Sequence, residues 1–134
     1  MALLTPNVGV QEILKRALNF SATGDVKLHL FQNNYTPIET STVASFTEST
    51  WTGYAIKTLT GASWTCTNAD PSEASYGIQT FTSTAGSQNQ ANYGYYITDS
   101  ANAILLWAEL FTDGPYTIVN NGDTISVTPK ITLD

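Results

Sequence analysis

Hydrophobic spacing changes once along this chain. Over the first two dozen residues the apolar positions recur at helical intervals. From residue 25 onward they alternate with polar ones at a period of two. Within the second region the longest apolar run is residues 104–111, broken only by Glu109. Ile104, Leu106, Ala108 and Leu110 occupy one parity; Leu105, Trp107 and Phe111 occupy the other. A strand apolar on both sides needs cover on both, so this one is predicted in the middle of a sheet. In the first region Val10, Ile13, Leu14, Ala17 and Leu18 fall at i, i+3, i+4, i+7 and i+8, an amphipathic stripe. Thr5-Pro6 or Asn7 would start the helix, and Gly24 would follow its end. Such a helix either packs over one open end of its own β domain or lies as an arm on a neighbouring subunit. It is the one element whose stripe matches the second face of the 104–111 strand.

The remaining elements follow from alternation and turn chemistry. Val26, Leu28 and Leu30 alternate with Lys27, His29 and Phe31, which places His29 on the polar side as a surface residue. Asn33 to Pro37 breaks that strand. A long Thr/Ser-rich loop, with a short strand over 43–47, leads to a strand over 53–60. In the next strand, 63–67, Trp64 and Cys66 point inward. A strand over 74–83 carries a bulge at Gly77. Residues 84–92 are the most polar loop and the one predicted least rigid. Residues 93–97 and the 104–111 strand form an antiparallel hairpin. A strand over 116–119 ends at Asn120-Asn121-Gly122-Asp123, the strongest hairpin turn in the sequence. The closing strand puts Ile125, Val127, Pro129, Ile131 and Leu133 on one side. Pro129 cannot donate to a ladder, so the strand lies at an edge or bends there. The sum is a mainly β protein: an antiparallel β-sandwich of seven or eight strands, jelly-roll-like, with one N-terminal amphipathic helix. Residues 1–24 form the helical arm and residues 25–134 the sandwich.

Composition narrows the functions. Only 12 % of the residues are charged, while 42 % are hydrophobic, so outward positions are filled by hydroxyls and amides rather than by disorder-promoting charge. The net charge is −6 and the five Lys and Arg are scattered at 15, 16, 27, 57 and 130, which gives no nucleic-acid footprint. The one cysteine, Cys66, forms no internal disulfide and reads as a small core residue. No apolar run is long enough for a membrane helix, and Pro6, Glu12, Lys15 and Arg16 interrupt any signal-peptide core. These features predict synthesis in a cytoplasm, which makes the sequons at Asn19 and Asn34 fortuitous.

Chemistry is sparse. One His and one Cys do not make a zinc site, calcium-loop spacing is absent, and no phosphate-binding glycine loop or G-x-S-x-G elbow occurs. No metal or cofactor is predicted, nor an enzyme. The acids fall mostly in turns; only Glu109 sits inside an apolar strand, where it reads as a hydrogen-bonding or interface residue. Trp51, just ahead of a strand, is the one plausible exposed aromatic platform for a sugar. The candidate partner-facing residues are therefore Val10, Ile13, Leu14 and Leu18 on the helix, together with Trp51 and Glu109.

Several phrases taken in order carry a resemblance: Leu28-His29-Leu30-Phe31-Gln32-Asn33-Asn34-Tyr35-Thr36-Pro37, Gly53-Tyr54-Ala55, Tyr93-Gly94-Tyr95-Tyr96-Ile97, Leu106-Trp107-Ala108-Glu109, and the closing run from Gly122 to Leu133. Over residues 26–133 the sequence resembles small virion proteins of tailed bacteriophages, head decoration or cement proteins in particular. The resemblance implies a non-enzymatic homo-oligomer, often a trimer, on the outer capsid surface with the major capsid protein as partner. The alternative is a phage tail or fibre module that contacts a glycan through residues 48–52 or 84–92. The resemblance carries no functional residues, because these proteins have no motif defined by chemistry.

Overall fold

The computed structural model describes residues 6–18 and 25–133, except the side chains of Asn7, Val8, Val10 and Glu12. Thr5, Asn19 and Gly24 lie outside the described residues, and so does the Val10 side chain. The predicted helix is present as α1, Asn7–Ala17, entered through Pro6, with Lys15 and Arg16 in its last turn where the helix dipole favours cations.

The protein is mainly β, and every strand pairing among the described residues is antiparallel. Eleven short strands occur among those residues: β1 (Val26–Phe31), β2 (Lys57–Leu59), β3 (Thr65–Thr67), β4 (Ser72–Ser75), β5 (Gln79–Thr82), β6 (Gln90–Asn92), β7 (Gly94–Thr98), β8 (Leu105–Leu110), β9 (Tyr116–Ile118), β10 (Thr124–Val127) and β11 (Lys130–Leu133). One sheet runs β2-β1-β7-β8. The others are β10-β5, β11-β4-β3 and β6-β9.

The count exceeds seven or eight because single alternating runs are broken in two. The 74–83 run divides at Tyr76 to Ile78, and the closing run divides at Pro129. The two breaks sit side by side: β4 pairs with β11, β5 pairs with β10, and the Tyr76 N–H donates to the Pro129 carbonyl at 2.9 Å between them. A two-stranded ribbon is thus bent at the one residue with no N–H to give. The strand predicted over 43–47 is instead a 3₁₀ turn, Val43–Ser45, and the 53–60 run contributes only the three residues of β2. The Asn120 to Asp123 turn forms but is not a hairpin, because β9 pairs with β6 while β10 leaves for β5.

The main correction concerns the 104–111 run. The strands that are buried on both faces and central to the sheet are β1, paired with β2 and β7, and β7, paired with β1 and β8. β8 is the outer strand, and among the described residues none pairs with its far edge. Ile104 is 61 % exposed and Leu106, the extra residue where the β7–β8 register shifts, is 41 % exposed. The predicted β7–β8 hairpin holds.

Two apolar clusters flank the four-stranded sheet. One lies between it and the other strands and includes Leu28, Leu30, Ile97, Phe81, Ile125, Trp64, and Leu14 and Leu18 from α1. The other face is covered by the segment after β1, not by α1. Phe46 stacks on Tyr96 at 4.8 Å and lies 4.9 Å from Phe31, with Tyr35 edge-on at 5.5 Å. Gly94 is needed here: a Cβ would collide with the Glu109 carbonyl and the Phe31 ring.

Candidate functional site

Three places gather the polar or exposed chemistry. The first is under the 33–48 cover. Segment 47–49 runs along β1 beyond the end of β2, held by Gln32 N–H to Thr47 O at 2.8 Å and Ser49 N–H to Leu30 O at 3.0 Å. That placement carries Glu48 onto His29. His29 is 2 % exposed and stacks on Tyr96 at 4.5 Å. The Thr98 hydroxyl lies 3.0 Å from His29 Nε2 and 3.0 Å from the Asp99 carbonyl. Nδ1 faces Glu48 Oε1 at 3.0 Å. The same carboxylate oxygen accepts the Tyr54 hydroxyl at 2.8 Å, and that hydroxyl in turn receives the Leu30 N–H at 3.1 Å. Burial, and secondarily the Glu48 charge, pushes the Tyr54 and Tyr96 phenols well above the usual tyrosine value. His29 is therefore not the surface residue its parity in the strand predicted. Its ring is sealed inside the protein as a cross-brace between β1, β7 and the 47–49 segment.

The second place joins the two loops that the sequence offered for glycan contact. Residues 48–52 lie against residues 84–92. Gln88, Gln90 and Asn92, at alternate positions, point their amides at the neighbouring segment. Gln88 Oε1 accepts the Thr52 N–H at 3.1 Å, and Gln90 Oε1 accepts the Thr50 N–H at 2.8 Å. Asn92 is fully buried. Its Oδ1 accepts from Ser49 Oγ at 2.6 Å and Trp51 Nε1 at 3.1 Å, and its Nδ2 donates to the carbonyls of Gln90 and Tyr116. The segment predicted least rigid is anchored by its own amides. Trp51 is 3 % exposed and packs edge-on against Tyr54 at 5.7 Å. It is a core residue and not the exposed platform predicted, because Asn92 gives its indole N–H a buried acceptor.

The third place is the surface between α1 and β8. Leu14, Ala17, Leu18, Leu106, Trp107 and Ile131 line an apolar groove of about 150 Å³. Leu14 and Leu18, predicted to face a partner, are instead buried within their own subunit. Of the helix positions predicted to face a partner, Ile13 alone among those described points outward, 51 % exposed. Glu109 is exposed at the other end of β8 and accepts the Tyr95 hydroxyl at 2.6 Å. Burial and that carboxylate raise the Tyr95 phenol. So the structure leaves Ile13 exposed on α1, keeps Glu109 as a hydrogen-bonding residue, and removes Leu14, Leu18 and Trp51 from the surface. Cys66 is half-buried against the main cluster, as its inward parity predicted.

Among the described residues no group of His, Cys, Asp and Glu could hold a metal ion, and no helix is long and apolar enough to cross a membrane. Sequence reasoning missed the His29–Glu48–Tyr54 brace and the Asn92 latch. The even spacing of Gln88, Gln90 and Asn92 was the available signal for the latch. Compared with known proteins, the sequence and its fold match no family model, no curated protein and no solved structure.

Proposed function

We propose that this protein is a non-enzymatic structural component of a tailed-phage virion, made in the host cytoplasm. In this role it decorates and stabilises the outer capsid surface as a homo-oligomer, most simply a trimer. The resemblance of residues 26–133 to head decoration proteins is one support. The observation that carries the reading is the surface around the α1–β8 groove. An outer strand with an open edge and an apolar, nearly uncharged sequence is what soluble monomers avoid, because it invites another copy or a partner. Here Leu106 on β8 lines the groove and is exposed, and Ile104 just before β8 and Ile13 on α1 are exposed as well. The buried chemistry fits a rigid subunit as well. His29, Glu48 and Asn92 brace covers onto the sheet, which suits a protein whose task is to hold shape. Charged groups are few, so little of this stability is exposed to salt screening.

The test is to mix the purified protein with capsids that lack it and image them. Saturable density at symmetry-related positions supports the proposal. Capsids that stay bare under conditions where the protein is folded overturn it. Glycan binding in the same preparation would move the assignment to a tail or fibre module.

A further inference from the structure

We propose that Asn121 is a self-modification site, at which the protein turns an asparagine into aspartate and isoaspartate without an enzyme. Asn121 is the only asparagine in the sequence followed by glycine. It is exposed in the turn between β9 and β10, and among the described residues its side chain has no hydrogen-bond partner. Gly122 adopts a φ of +91°, and nothing lies within 4 Å of the place where a Cβ would be. Residue 122 therefore has no side chain of its own to hinder attack, and no neighbouring group crowds that side of it.

The reaction needs only water. The Gly122 nitrogen gives its proton to hydroxide and bonds to Cγ of Asn121. The bond between Cγ and Nδ2 of Asn121 breaks, and Nδ2 leaves as ammonia with a proton from water, closing a five-membered imide. Water then adds to either imide carbonyl. Opening one side yields aspartate; opening the other yields isoaspartate, in which the backbone is longer by one methylene. The net change is amide plus water to carboxylate plus ammonium.

The fold sets the pace through one bond. The Gly122 N–H donates to the Ser83 carbonyl at 2.9 Å, and the Ser83 N–H donates to the Asp123 carbonyl at 2.8 Å. These two bonds lie just beyond Thr82–Thr124, the last pair of the β5–β10 ladder. While they hold, the proton that must be lost is engaged. They are the outermost rungs, and ladder ends open most readily. The attack therefore occurs in the locally opened turn, not in the globally unfolded state.

The isoaspartate product cannot rebuild the turn. An added methylene between residues 121 and 122 displaces Gly122 from Ser83 and Asp123 from the Asn120 carbonyl, 3.2 Å away in the intact turn. A new carboxylate also appears beside Asp123, whose Oδ2 already accepts the N–H groups of Val119 and Asn120 at 2.8 and 2.7 Å. The start of β10 loosens irreversibly.

The experiment is to incubate the intact folded protein in mildly alkaline buffer and follow every asparagine by peptide mapping, with chemical detection of isoaspartate. A second sample is held in denaturant. The expected result is that conversion in the folded protein concentrates at Asn121, ahead of every other asparagine. Asn121→Gln, which keeps an exposed amide at the turn but forms the cyclic product far more slowly, should remove the signal while the protein remains folded. The proposal is overturned if Asn121 stays intact in the folded protein while it converts in denaturant. It is also overturned if another asparagine converts first, or if the signal survives in Asn121→Gln.

Discussion

At the scale of single residues, Asn92 decides more than any charged group. All four of its amide bonds are internal, and removing the side chain strands Ser49, the Trp51 indole N–H and two carbonyls at once. Asn92→Ala should cost about 3 kcal/mol, since buried polar groups left unpaired cost about 1–3 kcal/mol each and some will recruit water. Trp51→Phe keeps an aromatic ring, loses one bond and leaves a small cavity, about 1–2 kcal/mol. Denaturant unfolding of both variants checks this, and equal losses would mean the latch does not act as a unit. The tyrosines make a second residue-scale prediction. Tyr54, Tyr95 and Tyr96 all hold their protons above the ordinary value, chiefly through burial. Above about pH 10 the unfolded state releases phenolic protons that the native state keeps, so stability falls as pH rises. Fluorescence-monitored unfolding should show a steep alkaline loss, and Tyr54→Phe should flatten part of it. On the acid side the backbone N–H groups of Ile104 and Ala103, and those of Asn120 and Val119, hold Asp99 and Asp123 below their usual range. Their stabilisation, small because water reaches both carboxyls, is present above the ordinary carboxylate value and fades as pH falls through the lowered one.

At the scale of elements, the alternation placed the strands but misjudged which one is central. Residues 104–111 are apolar on both parities, yet that pattern has two causes: a strand buried on both faces, or an outer strand that keeps one side for a partner. Composition cannot separate them. Of the two strands that fill the centre, β1 carries His29 and Lys27 and looked amphipathic, because the cover over His29 comes from residues 33–48, a segment without periodicity. This reassignment gives a measurable ranking. Phe31→Ala removes a fully buried ring at the centre of the second cluster and should cost about 3–5 kcal/mol, the range for emptying an aromatic core site. Trp107→Ala, half-buried on the outer strand against Trp64 at 6.0 Å, should cost less, about 2 kcal/mol. The reverse order in thermal or urea unfolding would restore β8 to the centre. The Pro129 bend is the opposite case. A missing N–H is a property of the residue, so a bend was one of two outcomes readable in advance. Where the ribbon goes after bending was not.

At the scale of the whole molecule, the helix and the outer strand line an apolar groove, and each carries an exposed apolar side chain, Ile13 and Leu106. Ile13→Asp and Leu106→Asp alter exposed side chains, so unfolding free energy should stay within about 0.5 kcal/mol of the parent. Capsid binding or self-association should weaken by about tenfold or more, if these residues contribute as central contacts of an interface do. Sedimentation of the variants and their capsid occupancy measure the two effects separately. Unchanged assembly in both variants would move the contact surface elsewhere. A loss of fold would mean the groove belongs to the core.

Local rules were enough for the class of this protein. Period and turn residues in the sequence led to a mainly β antiparallel fold with one helix, a β7–β8 hairpin and a turn at Asn120 to Asp123. Each of those depends on neighbours within a few residues. Burial of His29 and Trp51, the split of long runs into paired short strands and the outer position of β8 depend on contacts between residues far apart in sequence. His29 meets Thr98, Trp51 meets Asn92, and Tyr76 meets Pro129. A polar side chain reads as a surface residue until its partner is known. Only folding brings that partner within hydrogen-bonding distance.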